Sequence, residues 1–282
     1  MPQLPQPFFT SSAPAKINLG LRVGPKRADG YHNIQTTFAK ITLADTLEFF
    51  PRSDQQLKIA TLNYKLPEQT NLVAQAAHLL QELTQPACGL TIRLHKKIPL
   101  QAGLGGGSSD AAATLLALNK IWQLKLTLSQ LQPLAQKLGA DVPQFLYPGV
   151  LTATGLGEIL HPTTLAPNFP RVVVIVVPAK RISTKIAFQK LSAEPKQQPQ
   201  APSQNKTMLG QSLENDFEPL IAHLVPEIQL IKSVFSKFGA AAASLSGSGS
   251  SVFGLFHSPA AACKVLPKMQ KYGQVFLTRI LI

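Results

Sequence analysis

The chain has 282 residues, of which 45% are hydrophobic and 15% charged, and it contains two cysteines. This composition indicates a globular protein with room for two domains, and it excludes a disulfide framework or a metal centre built from clustered cysteines. We expect Cys88 and Cys263 to be buried free thiols. The formal net charge of +13 is compatible with a nucleic-acid partner or with phosphate-bearing substrates. Because the basic residues are spread along the chain without a dense block, we expect no nucleic-acid partner.

The beginning of the chain, MPQLPQPFFTSS, has neither a charged start nor a long apolar segment. The longest apolar stretch, residues 172–177, has only the length of a strand. We therefore expect a cytoplasmic protein that does not bind membranes. The sequence leaves the oligomeric state open between a monomer and a weak dimer.

Apolar periodicity predicts the elements of the first half of the chain. Alternation predicts strands over 40–50 and 89–98, and between them Asn71 is suited to cap a helix. The apolar face of that helix would consist of Leu72, Ala76, Leu79, Leu80 and Leu83. Further along, helices are predicted over 111–122 and 128–138, the second ending at Gly139. The helix over 111–122 would have Ser108 or Ser109 as its N-cap and Asp110 in its first turn.

Three prolines within 161–171 indicate a domain boundary, which divides the chain into an N-terminal domain over 1–163 and a C-terminal domain over 164–282. The mixed order of strands and helices in these domains predicts an α+β fold. The Pro- and Gln-rich residues 194–206 are expected to form a mobile loop whose role is unassigned. The elements predicted around this loop are a buried strand over 172–177, a helix over 227–238 and a strand over 252–256.

Residues 99–113 read PLQAGLGGGSSDAAA, with glycine at four of the five positions 103–107, between a predicted strand and a predicted helix. Unpaired N–H groups converge at a helix N-terminus, and glycines let a phosphate approach the backbone, so the arrangement is typical of an anion site. No Lys follows the last glycine, and Ser108 occupies the third glycine position of a dinucleotide fingerprint, which excludes both common phosphate motifs. The alternative is a turn that only lets the helix pack closely.

This stretch resembles the phosphate-binding motif of the GHMP kinases, the family of galactokinase and of homoserine, mevalonate and phosphomevalonate kinases. Two other signatures of the family appear in order, APAKINL at 13–19 and SGSGSS at 246–251. Within the family the sequence is most similar to the branch whose acceptor is 4-diphosphocytidyl-2-C-methyl-D-erythritol (CDP-methylerythritol). The motifs that indicate this branch are GLGGGSSDAA (103–112), RADGYHN (27–33), GADVPQF (139–145), GLGE (155–158) and ND (215–216).

The resemblance implies a two-domain GHMP-kinase-like fold with its active site in the cleft between the domains. It also implies ATP as co-substrate and Mg²⁺ to neutralise the phosphates, although no carboxylate cluster identifies the metal ligands. The residues that it assigns to ATP are Pro99, Gly103, Leu104, Gly105, Gly106, Gly107, Ser108 and Ser109.

Two charged residues are candidates for catalysis. Asp141 follows a predicted helix end, where a carboxylate either accepts the proton of an attacking hydroxyl or caps the next turn. Lys16 is the single charge in APAKINLGL, and such a lysine either lies in solvent or faces a specific partner. The resemblance makes Lys16 and Asp141 the catalytic residues, with Lys16 stabilising the ionised Asp141 or the reacting oxygens. Asn18, two residues further along the same strand, would share the face of Lys16 and bind substrate.

Tyr31 and His32 follow the turn-like sequence ADG, where a tyrosine is either an ordinary hairpin tip or a platform for a base. The resemblance implies that both contact cytosine, that Phe188 covers the other face of the base, and that Thr184 is a polar contact. Relatives carry prolines near Phe188 where this chain has Ser and Lys, so we expect a freer loop there. The SGSGSS turn is either a plain strand connection or a second phosphate-facing loop, and the resemblance places Gly249 at the substrate.

We therefore expect phosphoryl transfer from ATP to the 2-hydroxyl of CDP-methylerythritol, in the non-mevalonate route to isoprenoids. One alternative is a GHMP kinase for another small alcohol, such as homoserine or a phosphomevalonate-like acceptor. Another is a non-catalytic nucleotide or nucleic-acid binder. Tyr31 and Phe188 favour the cytidylyl alcohol because the other acceptors have no base, and the presence of both Lys16 and Asp141 favours an enzyme.

Overall fold

The computed structural model describes residues 6–62, 67–191 and 213–282, so the predicted loop over 194–206 lies outside the described residues. The strands are β1 (Phe9–Lys26), β2 (His32–Pro51), β3 (Leu57–Thr61), β4 (Leu90–His95), β5 (Val150–Thr154), β6 (Ile159–Thr163), β7 (Val172–Pro178), β8 (Ala242–Leu245), β9 (Val252–Phe256) and β10 (Gly273–Arg279). The helices are α1 (Leu72–Thr84), α2 (Gly106–Ile121), α3 (Leu128–Leu138), α4 (Pro143–Leu146), α5 (Thr184–Leu191), α6 (Glu218–Leu224), α7 (Glu227–Lys237) and α8 (Pro259–Met269).

The described residues form two compact units, each assembled from separate segments of the chain. Unit 1 draws on Met1–Ala15, Ala44–Ile98 and Gly105–Pro148, and unit 2 draws on Lys16–Leu43, Pro99–Leu104 and Gly149–Ile282. β1 and β2 contribute residues to both units, so neither unit is one continuous stretch of sequence. The division into domains over 1–163 and 164–282 stays a prediction.

In unit 1, β4 pairs antiparallel with the C-terminal part of β2 and parallel with β3. Leu90, Ile92 and Leu94 alternate along β4 as predicted, and all three are buried in a core shared with α1, α2 and α3. The apolar face predicted for α1 is partly wrong, because Leu83 is exposed. Of the predicted face, Ala76 and Leu80 are buried and Leu72 and Leu79 are half-buried. The other buried residues of α1 are Val73, Ala74 and Ala77, whose small side chains allow close packing against α2.

In unit 2, the N-terminal part of β2 pairs antiparallel with β5, which pairs with β6. A second sheet in this unit has the antiparallel strand order β10–β7–β9–β8. Every residue of β7 is buried, as its continuous apolar sequence predicts. The core around β7 includes residues from α5 to α8. Strands and helices therefore build both units, which confirms the predicted α+β class.

The start of α2 differs from the prediction. The helix begins at Gly106, and its N-cap is Gly105 at φ +70° with no side-chain hydrogen bond, so neither Ser108 nor Ser109 is the cap. Gly105 turns the chain directly into the helix because glycine adopts this left-handed conformation without strain. The two serines therefore lie inside the first turn, and Asp110 is the fifth helical residue rather than a residue of that turn.

The expectation of buried thiols is wrong, because both Cys88 and Cys263 are exposed. Cys88 precedes β4 in a connecting segment, and Cys263 lies on α8 beside the buried face that Ala262, Val265 and Met269 provide. In the ranges that the structure describes, no helix has the length and apolar character needed to cross a bilayer.

Candidate active site

Lys16 and Asn18 lie on one face of β1 in unit 2, as their spacing predicts. Lys16 is 3% exposed and Asn18 is 2% exposed, which excludes a lysine in solvent. Lys16 Nζ donates a hydrogen bond to Asn18 Oδ1 at 2.6 Å and lies 5.7 Å from the centroid of the Phe38 ring. A buried ammonium is costly unless hydrogen-bonding groups or charges compensate it. Its burial therefore indicates a specific role for Lys16.

Thr36, on β2, extends this hydrogen-bonded chain and was missed in the sequence. Asn18 Nδ2 donates to Thr36 Oγ1 at 2.9 Å, and Thr36 Oγ1 donates to the carbonyl oxygen of Gly20 at 2.6 Å. Threonine is an ordinary strand residue, so no local pattern marks this one as part of a site. Only the pairing of distant segments brings it to Asn18.

The glycine turn 246–251 connects β8 to β9 and also packs closely against Lys16. A Cβ atom on Gly247 would lie 3.1 Å from Lys16 Nζ and 3.0 Å from the carbonyl oxygen of Gly103. A Cβ atom on Gly103 would lie 2.2 Å from the carbonyl oxygen of Ser246, whose hydroxyl donates to the Gly103 carbonyl at 3.0 Å. The turn is thus a strand connection that also forms part of the surroundings of Lys16.

Asn215, from the predicted ND motif, holds this turn in place. Its Nδ2 donates to the carbonyl oxygens of Leu245 at 2.9 Å and Gly247 at 2.8 Å, while its Oδ1 accepts from the N–H of Phe217 at 2.9 Å. Every polar atom of this buried amide therefore has a partner in the protein. Asn215 acts on the site by fixing the backbone of the glycine turn.

The remainder of the glycine-rich loop, which starts α2, lies in unit 1. The first N–H groups of a helix have no acceptor within the helix, so they face outward as donors. The space available for a side chain differs between the glycines of this turn. A Cβ atom on Gly106 would lie 2.9 Å from Ile98 Cγ2 and 3.3 Å from Lys96 Nζ, whereas one on Gly107 would meet only Leu72 Cδ1 at an ordinary 3.5 Å. Packing therefore explains Gly106 but not Gly107.

A buried ion cluster, which the sequence analysis did not identify, lies beneath this turn. Lys96 Nζ donates to Asp110 Oδ2 at 2.6 Å and to a carboxylate oxygen of Asp45, and Asp45 also accepts from the N–H of Ile98 at 2.8 Å. Burial raises the pKa of Asp110 to about 8, the neighbouring Asp45 carboxylate adds to this rise, and the Lys96 ammonium opposes it. Among the described residues, Asp110 Oδ1 and Ser109 Oγ are buried without a hydrogen-bond partner.

Asp141 lies in unit 1, half-buried in the turn between α3 and α4. The N-cap of α4 is Val142, and no side chain caps that helix, which excludes the capping alternative for Asp141. In the part of the chain that the structure describes, the Asp141 carboxylate has no hydrogen bond or ion pair. A half-buried carboxylate without a structural partner is suited to act on a bound ligand.

Tyr31 and His32 have different environments in unit 2. The Tyr31 side chain is presented at a turn and is 63% exposed, and its backbone N–H donates to Asp29 Oδ1 at 3.1 Å. His32 is buried, with Nδ1 2.8 Å from the carbonyl oxygen of Gly24. Because a carbonyl oxygen can only accept, Nδ1 carries a proton and donates it to Gly24.

Phe188 and Thr184 lie on a helix, so the expectation of a freer loop is wrong. α5 begins at Thr184, and the Ser183 hydroxyl accepts from the N–H of Ile186 at 3.3 Å, as a helix-capping residue does. Ser183 thus caps the start of the helix, so the absence of proline near Phe188 does not leave a free loop. Four residues apart on α5, Thr184 and Phe188 share one face.

This face of α5 makes polar and aromatic contacts within unit 2. Thr184 Oγ1 lies 3.0 Å from Ser248 Oγ of the glycine turn. The Phe188 ring lies 5.7 Å from the His32 ring and 4.8 Å from the Phe217 ring, the latter edge to face. The His32 and Phe188 rings therefore contact each other, whereas the Tyr31 ring is exposed.

The chain is similar to known families and proteins over most of its length. The family described as GHMP kinases N terminal domain matches residues 71–149, and GHMP kinases C terminal matches 198–275. A relative from Pelodictyon phaeoclathratiforme named 4-diphosphocytidyl-2-C-methyl-D-erythritol kinase is 39% identical over 90% of this chain and 92% of its own. A relative of the same name from Geobacillus sp. (strain WCH70) is 38% identical over 95% and 96%.

Solved structures resemble the chain over nearly its whole length. A crystal structure of 4-(cytidine 5'-diphospho)-2C-methyl-D-erythritol kinase has a TM-score of 0.84 at 34% identity and covers 97% of this chain and 100% of its own. Homoserine kinase from Cytophaga hutchinsonii has a TM-score of 0.72 at 21% identity and covers 99% and 97%. At that lower identity the likeness concerns the fold alone.

Proposed function

Because the chain belongs to the GHMP kinase family, we propose that it transfers the γ-phosphoryl group of ATP to the 2-hydroxyl of CDP-methylerythritol, a step in isoprenoid precursor synthesis. The observation that carries the proposal is the 39% identity, over 90% of the chain, to a relative named for this substrate. The buried Lys16, and the carboxylate of Asp141, which has no partner within residues 6–62, 67–191 and 213–282, support an active enzyme rather than a non-catalytic binder.

The reaction joins the 2-hydroxyl oxygen to the γ-phosphorus and breaks the bond from that phosphorus to the β,γ-bridging oxygen, releasing ADP. Asp141 is the group that takes the hydroxyl proton, since it is a carboxylate with no structural partner among the described residues. Lys16 stabilises the negative charge on the transferred phosphoryl oxygens, and Asn18 holds its ammonium at 2.6 Å. The outward N–H groups at the start of α2 bind ATP phosphate.

Mg²⁺ is expected with ATP, and the protein offers oxygen donors of the kind that this ion prefers. Ser109 Oγ and Asp110 Oδ1 are buried and unpartnered among the described residues, so they are the groups that would hold it together with the phosphates. When bound, the ion would neutralise negative charge on the ATP phosphates.

Cytosine recognition is assigned to Tyr31 and His32. The exposed Tyr31 ring supplies a stacking surface, and the buried His32 imidazole is the group that we assign to a polar edge of the base. Phe188 contacts the His32 ring, so it steadies the histidine as well as bordering the base. Homoserine and phosphomevalonate carry no base, so this arrangement favours the cytidylyl alcohol over them.

A panel of acceptors tests the proposal. We expect kcat/KM for CDP-methylerythritol to exceed that for homoserine and for phosphomevalonate by at least a thousandfold, measured by ADP release at fixed ATP and Mg²⁺. Free CMP should inhibit competitively against the cytidylyl acceptor but not against ATP. Comparable kcat/KM values across the panel would remove the acceptor assignment and leave only a small-molecule kinase.

A further inference from the structure

The side-chain amide of Asn18 can lie in either of two orientations, and its neighbours determine which one it adopts. The two ends of an amide have nearly the same shape, but one only accepts hydrogen bonds and the other only donates them. Toward the Lys16 ammonium, which only donates, the oxygen end is the one that binds, and Oδ1 is 2.6 Å from Nζ. The opposite orientation would place an NH₂ group against the ammonium.

Thr36 supplies the group that distinguishes the two orientations. Its hydroxyl has a single proton, and that proton goes to the carbonyl oxygen of Gly20 at 2.6 Å, which cannot donate in return. The Thr36 oxygen therefore presents only lone pairs to Asn18, and Nδ2 donates to it at 2.9 Å. A reversed Asn18 would lose this bond and set two acceptors against each other.

Burial makes this constraint strong. Lys16, Asn18 and Thr36 are all at most 4% exposed, so bulk water does not replace a lost partner. The glycine turn also approaches the ammonium closely, because a Cβ atom on Gly247 would lie 3.1 Å from Nζ. Displacement of Asn18 would therefore be transmitted to the position of Lys16 Nζ.

We propose that Thr36 is a positioning residue for the phosphoryl-transfer step, because its hydroxyl holds Asn18 in the one orientation that fixes the Lys16 ammonium. The inference rests on the proposed function in that Lys16 acts on the transferred phosphoryl group. Thr36 itself touches neither substrate nor the reacting atoms in this scheme. Its contribution passes through Asn18 to Lys16.

Thr36→Val tests the proposal, since valine keeps the branched shape and removes the hydroxyl. We expect kcat to fall about tenfold while KM for ATP changes less than twofold, and we expect Thr36→Ser, which keeps the hydroxyl, to restore at least half of kcat. Thr37→Val is the matched control, because Thr37 is the neighbouring strand residue, is also 4% exposed and has no side-chain hydrogen bond among the described residues. Equal losses in Thr36→Val and Thr37→Val, or no rescue by serine, would overturn the proposal.

A double-mutant cycle with Lys16→Met separates positioning from general destabilisation. If Thr36 acts through Lys16, adding Thr36→Val to Lys16→Met lowers kcat by less than twofold. A further tenfold loss in the double variant would show that Thr36 acts on something else, and it would refute the proposed path.

Chemical labelling of Lys16 gives a readout that does not depend on kinase activity. Acetic anhydride labels the deprotonated amine, and mass spectrometry of the Lys16 peptide gives the rate. We expect Thr36→Val to label at least fivefold faster than wild type, because Asn18 Oδ1 is no longer held toward the ammonium, and Thr36→Ser and Thr37→Val to label at the wild-type rate. An inactive wild type with this labelling pattern would refute the proposed function, although it would show that the Thr36 hydroxyl fixes Lys16 through Asn18. An active wild type with equal labelling in all variants would refute the positioning role alone.

Discussion

Gly107→Ala separates the two roles that a glycine can have at the start of α2, packing and access for a phosphate. The new methyl group would meet only Leu72 Cδ1 at 3.5 Å, an ordinary contact, so it fits without moving the protein. Alanine is favoured over glycine inside a helix by about 1 kcal/mol. We therefore expect the free energy of unfolding to rise by up to about 1 kcal/mol, measured by urea unfolding without ligand.

The same methyl group should weaken ATP binding. If a phosphate lies against the outward N–H groups of this turn, the methyl group holds it away from them. A hydrogen bond to a charged group contributes about 1.5–3 kcal/mol, so its loss corresponds to roughly a 10- to 150-fold increase in the ATP dissociation constant, measured by calorimetry. Greater stability together with weaker ATP binding is the expected pair of results.

Gly106→Ala is the control for packing. Its methyl group would lie 2.9 Å from Ile98 Cγ2, and overpacking of this kind costs about 1–3 kcal/mol. This variant should therefore be less stable than Gly107→Ala. A Gly107→Ala protein that is stabilised and still binds ATP like wild type would refute the phosphate role of this turn at Gly107.

Three further substitutions test separate parts of the proposal. Asp141→Asn should lower kcat about 10²- to 10⁴-fold and leave the ATP dissociation constant within a few-fold, and near-normal turnover would remove the catalytic role. Tyr31→Ala should raise the acceptor KM about 5- to 150-fold without changing stability, since the ring is 63% exposed, whereas Phe188→Ala should also lower the melting temperature because it contacts two rings. Burial lowers the pKa of Lys40 from 10.5 to about 8, so the unfolded chain binds more protons between pH 8 and 10.5, and stability should rise with pH across that window. Lys40→Met should remove this rise in urea unfolding and stabilise the protein at pH 7 by at most about 3 kcal/mol; the same pH dependence in both proteins would exclude Lys40 as its source.

Sequence periodicity predicts elements well where a single face or a fully buried strand determines the pattern. β7 and α3 have the predicted bounds within one residue, and Gly139 ends α3 as expected. The predicted start of α2 is wrong because serine is a common N-cap residue, which favours Ser108 or Ser109. In the structure the N-cap is Gly105, whose left-handed backbone begins the helix without a side-chain hydrogen bond. Local preference therefore identified the helix but not its first residue.

The glycine-rich loop shows why a correct motif does not fix the reason for each residue. Gly103 and Gly105 have positive φ, as a glycine cluster suggests. Gly106 instead avoids a collision with Ile98, a residue whose proximity follows from tertiary packing. The spacing of residues in the sequence does not show that Ile98 lies this close to Gly106.

Some site residues could be predicted from local spacing, whereas others are brought together only by tertiary contacts. Lys16 and Asn18 could be predicted to share a face because they are two apart on one strand. Thr36 and the Asp45–Lys96–Asp110 cluster could not, because their partners come from distant segments and each residue type is common. Pairwise tertiary contacts, rather than local pattern, bring these groups together.

The identity of the product tests the central claim most directly. The protein is incubated with ATP, Mg²⁺ and CDP-methylerythritol, with Asp141→Asn as the inactive control, and the products are examined by mass spectrometry and ³¹P NMR. We predict one ADP for each cytidylyl product, which carries a single added phosphoryl group on its 2-hydroxyl. Release of ADP without a phosphorylated cytidylyl product, or phosphorylation of homoserine at a higher rate, would contradict the proposed function.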